Sequence, residues 1–204
     1  MKVVLADDHN IFRQSLCLLL ENRSACEVVA DASSVDGLLE AVTQHLPDCI
    51  LVDYHMPGGK ALHVVESLKL KCPSLKIVVL TGSQAGALLK RISLSSVDAL
   101  IHKSDDADTI LSVLDSVSSR DSSGPCICSD LVAKLIEGVD LDFTHKELAV
   151  LEYLVEGVAP SKIAELMCIS SRTVEKHKQN MMAKAELSNV VELIELGHRL
   201  LYVE

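Results

Sequence analysis

The sequence predicts an α/β domain with an open, doubly wound parallel sheet of five strands, followed by a second, small all-α domain. Three observations carry this. Through residues 1–118, short apolar runs rich in β-branched residues alternate with stripes at helical spacing. The stretch Ser116–Asp130 is rich in Ser, holds Gly-Pro and reads as a linker. Beyond it, every apolar pattern has helical spacing.

The expected strands are Val3–Ala6, Val28–Ala30, Cys49–Val52, Ile77–Leu80 and Ala99–Ile101. Each is a short apolar run next to turn or polar residues, as strands buried on both faces read. Helical stripes lie between them. Phe12, Leu16, Leu19 and Leu20 form the first, and Leu38, Leu39, Val42 and Leu46 the second. Leu62, Val65 and Leu68 form the third, and Leu88 with Ile92 the fourth. After the linker, Leu131–Glu137, Lys146–Glu156, Ser161–Met167, Ser171–Ala185 and Val190–Leu201 are expected helices. The boundaries follow: a first domain over 1–118, a linker with room for a helix over 119–140, and the helical domain over 141–204.

Composition narrows the class. The chain has 204 residues, of which 49% are hydrophobic, which excludes wholesale disorder. No apolar run reaches the ~18 residues of a membrane span, and two acids interrupt the N-terminal apolar run too early for a signal peptide. A cytoplasmic protein without a membrane partner is expected, its seven cysteines reduced. The 19 Lys+Arg against 29 Asp+Glu give a net charge of −10. Residues 1–118 carry 10 basic and 15 acidic residues, 119–140 carry 2 and 4, and 141–204 carry 7 and 10. No domain is basic, so any nucleic-acid contact must be local to one face.

Ligands of such a sheet bind at the carboxyl ends of its strands. Asp7 and Asp8 follow the first strand, Asp53 the third, Thr81 the fourth and Lys103 the fifth. Converging carboxylates repel unless a hard cation such as Mg²⁺ joins them. An ammonium and a hydroxyl added to that set can stabilise a phosphoryl group in transfer, with Asp53 as nucleophile.

With these residues in place, 1–118 resembles the receiver domain of two-component response regulators, which has a flavodoxin-like fold. The matching elements are Ala6-Asp7-Asp8-His9, Asp53-Tyr54-His55-Met56-Pro57-Gly58, Leu80-Thr81-Gly82-Ser83 and His102-Lys103. The resemblance implies that Asp53 accepts phosphate from a histidine kinase or phosphotransfer protein. It implies a Mg²⁺ site of Asp7, Asp8, Asp53 and the backbone carbonyl of His55. Thr81 and Lys103 would engage the phosphoryl group. The chain departs from the family at Leu100, where an aromatic switch partner of Thr81 is usual. Leu100 is therefore expected to repack without an inward ring movement.

In the second domain Thr144-His145-Lys146-Glu147 fits a capping box, with Phe143 and Leu148 as its hydrophobic staple. Gly157 suits a helix C-terminus and Pro160 the first turn of the next helix. Cys168-Ile169 makes a turn, and Ser170 caps a longer helix, giving a helix-turn-helix. On that longer helix Val174, Met181 and Ala185 face a core, and Arg172, Lys176, Gln179 and Ala183 face away. Arg, Lys and Gln read base edges or phosphates, and His177, Lys178 and Lys184 add phosphate contacts. This region resembles the LuxR-type helix-turn-helix of the NarL/FixJ class, through Phe143-Thr144, Lys146-Glu147, Val150-Leu151, Gly157, Ile163-Ala164, Ile169-Ser170, Thr173-Val174, His177, Asn180, Lys184 and Asn189. That implies promoter DNA as partner, with Thr173 in the reading set, and a homodimer paired through the receiver or the last helix. Glu175, Ala159, Pro160 and Val190 depart from the family pattern.

Two other outputs fit the same residues. One is a protein-interaction or dimerisation module, to which Glu175 points. The other is phosphorylation-independent regulation, to which Leu100 points. Cys126-Ile127-Cys128 is the one close cysteine pair and reads as linker thiols. Cys17, Cys49 and Cys168 read as small core residues.

Overall fold

The computed structural model describes residues 1–23, 25–57, 59–120, 126–137 and 143–202. Gly58 of the acceptor motif and the linker residues 121–125 and 138–142 lie outside the described residues. Along the chain run β1 (Lys2–Ala6), α1 (Asn10–Arg23), β2 (Glu27–Ala32), α2 (Val35–His45) and β3 (Cys49–Asp53). A two-residue ladder, β4 (His55–Met56) and β5 (Gly59–Lys60), precedes α3 (Ala61–Lys71). Then come β6 (Lys76–Thr81), α4 (Gly86–Ser93), β7 (Ala99–His102), α5 (Ala107–Ser118), β8 (Ile127–Cys128) and α6 (Asp130–Glu137). The chain continues with α7 (His145–Val155), α8 (Pro160–Leu166), α9 (Ser171–Lys184) and α10 (Val190–Leu201). Packing divides it into two compact units, Met1–Gly82 with Ile92–Ala133, and Ser83–Arg91 with Lys134–Glu204.

The first unit is a parallel sheet in the order β2-β1-β3-β6-β7-β8. All five residues of β3 are buried, as befits a central strand covered on both faces. Val3, Leu5, Leu51, Val78, Leu80 and Ile101 meet Leu16 and Leu20 of α1 and Ile110 and Leu114 of α5 in one apolar cluster. The sheet has six strands where five were expected. Ile127 N donates to Asp98 O at 2.9 Å and Ser129 N to Leu100 O at 3.2 Å, so linker residues form an added edge strand. The surrounding Ser-rich composition conceals a short β-capable Cys-Ile-Cys run. The second stripe is narrower than expected: Leu38 and Val42 are buried, but Leu39 and Leu46 are exposed. Leu46 is the left-handed C-cap of α2, φ 45°, which turns it out of the helical face.

In the second unit the capping box closes as expected. Thr144 N donates to Glu147 Oε2 at 2.8 Å, and Glu147 N donates to Thr144 Oγ1 at 3.3 Å. Phe143 and Leu148 are buried beside it. Gly157 takes φ 75°, a left-handed position that stops α7. Pro160 opens α8. Ser170 and Asn189 cap α9 and α10 through their side chains, accepting from Thr173 N and Glu192 N. Ile163, Val174, Met181, Leu193 and Leu201 close the core. Cys168 is exposed, not a core residue, because its φ of 53° puts it at the tight turn between α8 and α9. No helix among the described residues is long and apolar enough to cross a membrane.

Candidate functional site

The carboxyl ends of β1, β3, β6 and β7 bring the expected pocket together. Asp53 pairs in register with Leu80, and Thr81 with His102, so Asp53, Thr81 and Lys103 stand on neighbouring strand ends. Lys103 N donates to Thr81 O at 2.7 Å, which fixes the start of the lysine loop against β6. Asp7, Asp53 and Thr81 are buried, whereas Asp8 is exposed at the rim.

Lys103 Nζ lies 2.7 Å from Asp7 Oδ2 and 2.9 Å from Asp53 Oδ2. One ammonium thus pairs with both buried carboxylates. Burial pushes the Asp53 carboxyl above its ordinary value and the Asp7 charge adds to the rise, while Lys103 and the His55 backbone N–H pull it back. Asp7, Asp8, His9 and Asp53 each offer a ligand atom, and these atoms lie within 4.8 Å of one another. Its three carboxylates are hard oxygen donors, two of them buried, which suits a cation that takes oxygen ligands.

Three neighbours escaped sequence reasoning. His9 Nδ1 stands 2.8 Å from Asp8 Oδ1 and 3.2 Å from Asp7 Oδ1, so the ring sits among the donor atoms. Its place directly after the acid pair was the available signal. Arg13 Nη1 donates to Asp7 O at 2.6 Å and its Nε pairs with Asp31 at 2.7 Å, which holds the β1–α1 turn. The Phe12 ring lies 5.1 Å from Lys103 Nζ, within cation–π range. No sequence signal tied either residue to the pocket, because both contacts depend on how α1 returns over the strand ends. The exposed His55 ring packs edge-on against Tyr54 at 4.7 Å. Leu100 is fully buried in β7.

In the second unit α9 divides the expected DNA-contacting residues. Arg172, Lys176 and Gln179 are exposed, and Thr173 and His177 are half-buried. Lys178 is not among the solvent-facing cations: its relative exposure is 8%, and its ammonium pairs with Glu175 at 2.8 Å. The same pair answers the Glu175 departure, because that carboxylate is already neutralised within one helical turn. Lys184 pairs with buried Glu147 of the capping box at 2.9 Å. On α10, Leu193, Gly197 and Leu201 face the unit's own core, and Val191 is left exposed.

Residues 3–115 match the response regulator receiver domain, and residues 142–196 match the bacterial regulatory proteins of the luxR family. The chain belongs to the bacterial response regulators. A nitrate/nitrite response regulator protein homolog of Haemophilus influenzae is 30% identical to this response regulator over 94% of the chain and 93% of the relative. The oxygen regulatory protein NreC of Staphylococcus carnosus is 28% identical, covering 96% and 95%. Among solved structures, RcsB of Salmonella enterica serovar Typhimurium bound to promoter rprA with phosphomimetic BeF3⁻ superposes with a TM-score of 0.76. It is 24% identical, with 96% of each chain covered, and shows the shared fold.

Proposed function

We propose that this response regulator accepts a phosphoryl group on Asp53 from a histidine kinase or phosphotransfer protein. We further propose that it then binds promoter DNA as a homodimer in the cytoplasm. The observation that carries the reading is the convergence of Asp7, Asp53, Thr81 and Lys103 at adjacent strand ends. We keep the division 1–118 receiver, 119–140 linker and 141–204 DNA-binding domain.

Asp7, Asp8, Asp53 and the His55 carbonyl would hold Mg²⁺, which offsets their mutual repulsion and the charge of an incoming phosphoryl group. Asp53 attacks phosphorus as its carboxylate, the donor's bond to phosphorus breaks, and an acyl phosphate forms. Lys103, held by Asp7 and Asp53, pairs with the new phosphoryl oxygens. Thr81 donates its hydroxyl to the same group and leaves its resting position. Water later hydrolyses the acyl phosphate, so self-phosphotransfer and autodephosphorylation are the chemistry of this pocket, and no external substrate is turned over. Leu100, an aliphatic side chain without a polar handle, fills the space behind Thr81 by repacking.

On the output side Arg172, Thr173, Lys176, His177 and Gln179 form the reading face. Pairing of Glu175 with Lys178 removes the repulsion that favoured a purely protein-binding output. Binding of the full chain to a duplex selected from a random pool tests the proposal. With Mg²⁺ and beryllofluoride, affinity should rise about tenfold or more, within the usual range of allosteric coupling. Equal affinity with and without the mimic would contradict phosphorylation control.

A further inference from the structure

Cys126, directly before β8, and Cys128, within it, flank Ile127 at the sheet edge that the sequence alone marked as linker. Ile127 packs against the apolar cluster between the sheet and α1 and α5. Side chains alternate along a strand, so the two thiols share the opposite face. Cys128 stands in register with Leu100, the buried residue at the switch position. Both thiols are half-buried, and Cys126 Sγ donates to Ile127 O at 3.6 Å. None of the other described cysteines has a partner thiol one residue away: Cys49 is buried, Cys17 and Cys26 are half-buried, and Cys72 and Cys168 are exposed.

The pair is chemically unequal. Interaction with the Cys126 thiol holds Cys128 below the ordinary thiol value, and the same interaction together with burial pushes Cys126 up. A nucleophilic thiol beside a resolving one is the arrangement that reversible oxidation requires. Residues two apart on a strand are separated by about 6.6 Å at ~3.3 Å rise. That is the upper end of the ~4.4–6.8 Å span of disulfides, so bridging must shorten the strand. Its pairing with β7 covers two residues, Ile127 opposite Ala99 and Cys128 opposite Leu100, and is flanked by the bonds Ile127 N to Asp98 O and Ser129 N to Leu100 O.

We propose that Cys126 and Cys128 are a peroxide-oxidised dithiol whose disulfide draws β8 away from β7 beside Leu100. The Cys128 thiolate attacks the peroxide: an S–O bond forms, the O–O bond breaks, and the departing hydroxide takes a proton to leave as water. Cys126, giving up its proton, attacks the sulfenic sulfur; the S–S bond forms, the S–O bond breaks, and a second water leaves. Two electrons pass from the two thiols to the peroxide. Oxidation thereby becomes a second input to the strand that carries Leu100, independent of Asp53.

Full-length protein exposed to hydrogen peroxide, alkylated and mapped by mass spectrometry tests this, with amide exchange read on the same samples. The expected product is one intramolecular Cys126–Cys128 disulfide, reversed by dithiothreitol. Cys126→Ser should stop at a dimedone-trapped sulfenic acid on Cys128, and Cys128→Ser should leave Cys126 reduced. The Ile127 and Ser129 amides should exchange about tenfold faster in the oxidised wild type. Earlier oxidation of exposed Cys72 or Cys168, or oxidation of Cys126 at wild-type rate in Cys128→Ser, would overturn the site. A disulfide with those two amides unchanged would overturn the strand displacement.

Discussion

The contrast between Lys176 and Lys178 turns the structure of α9 into a number. Lys176 is exposed, whereas the Lys178 ammonium is buried against Glu175 at 2.8 Å. Arg172 and Lys176 are then the solvent-facing full cations of the reading face, because Lys184 is held by Glu147 at 2.9 Å. A dimer places about four such charges on phosphates, and each contributes ~0.9 to the salt dependence, for a slope near −3.6. Affinity should therefore fall about 150-fold between 50 and 200 mM salt. Lys176→Ala in both protomers leaves about two contacts, a slope near −1.8 and a fall of only about 12-fold. Lys178→Ala should keep the wild-type slope and lower domain stability instead, since it removes the partner of Glu175. The assay is fluorescence anisotropy on a non-specific duplex across that salt range, with the beryllofluoride-loaded chain. A slope reduced equally by Lys178→Ala and Lys176→Ala would refute the assignment of faces on α9.

Other consequences concern the second unit. Thr144→Ala removes one half of the capping box and should cost about 1 kcal/mol, read as a lowered thermal midpoint. Burial, reinforced by nearby cations, holds the His145 imidazole at about 4, well below the ordinary histidine value. Between those two values the unfolded chain takes up a proton that the folded one refuses, so stability falls as pH drops from ~6.5 to ~4. His145→Gln should flatten that loss in urea titrations across the window; an unchanged pH profile would exclude His145 as its source. A Cβ on Gly197 would lie 2.5 Å from Val155 Cγ2 and 2.8 Å from Leu151 Cδ1. Overpacking costs about 1–3 kcal/mol and helix propensity returns ~1, so Gly197→Ala should lose about 1 kcal/mol net in urea unfolding.

The pocket was legible because its chemistry sits at strand ends, and strand ends can be counted from apolar runs. Asp7, Asp53, Thr81 and Lys103 each follow such a run, and parallel register alone makes them converge. Caps were equally legible at Thr144 and Ser170, since each accepts from a backbone amide three residues on. What remained hidden was long-range. The contacts of Phe12 and Arg13 depend on the path of α1, and no periodicity reports it. Lys178 was misread because a lysine beside a glutamate three residues away looks like any exposed helical pair, whereas its burial comes from tertiary packing. β8 was missed because its two residues are shorter than any window in which alternation can be seen.

Phosphoryl transfer to Asp53 is the central claim. Intact-mass spectrometry of the full chain incubated with acetyl phosphate, with and without Mg²⁺, followed by peptide mapping, tests it most directly. One phosphoryl group on Asp53 is the expected product, dependent on Mg²⁺ and absent in Asp53→Asn. An unmodified wild-type chain, or the same phosphoryl mass on Asp53→Asn, would contradict the account.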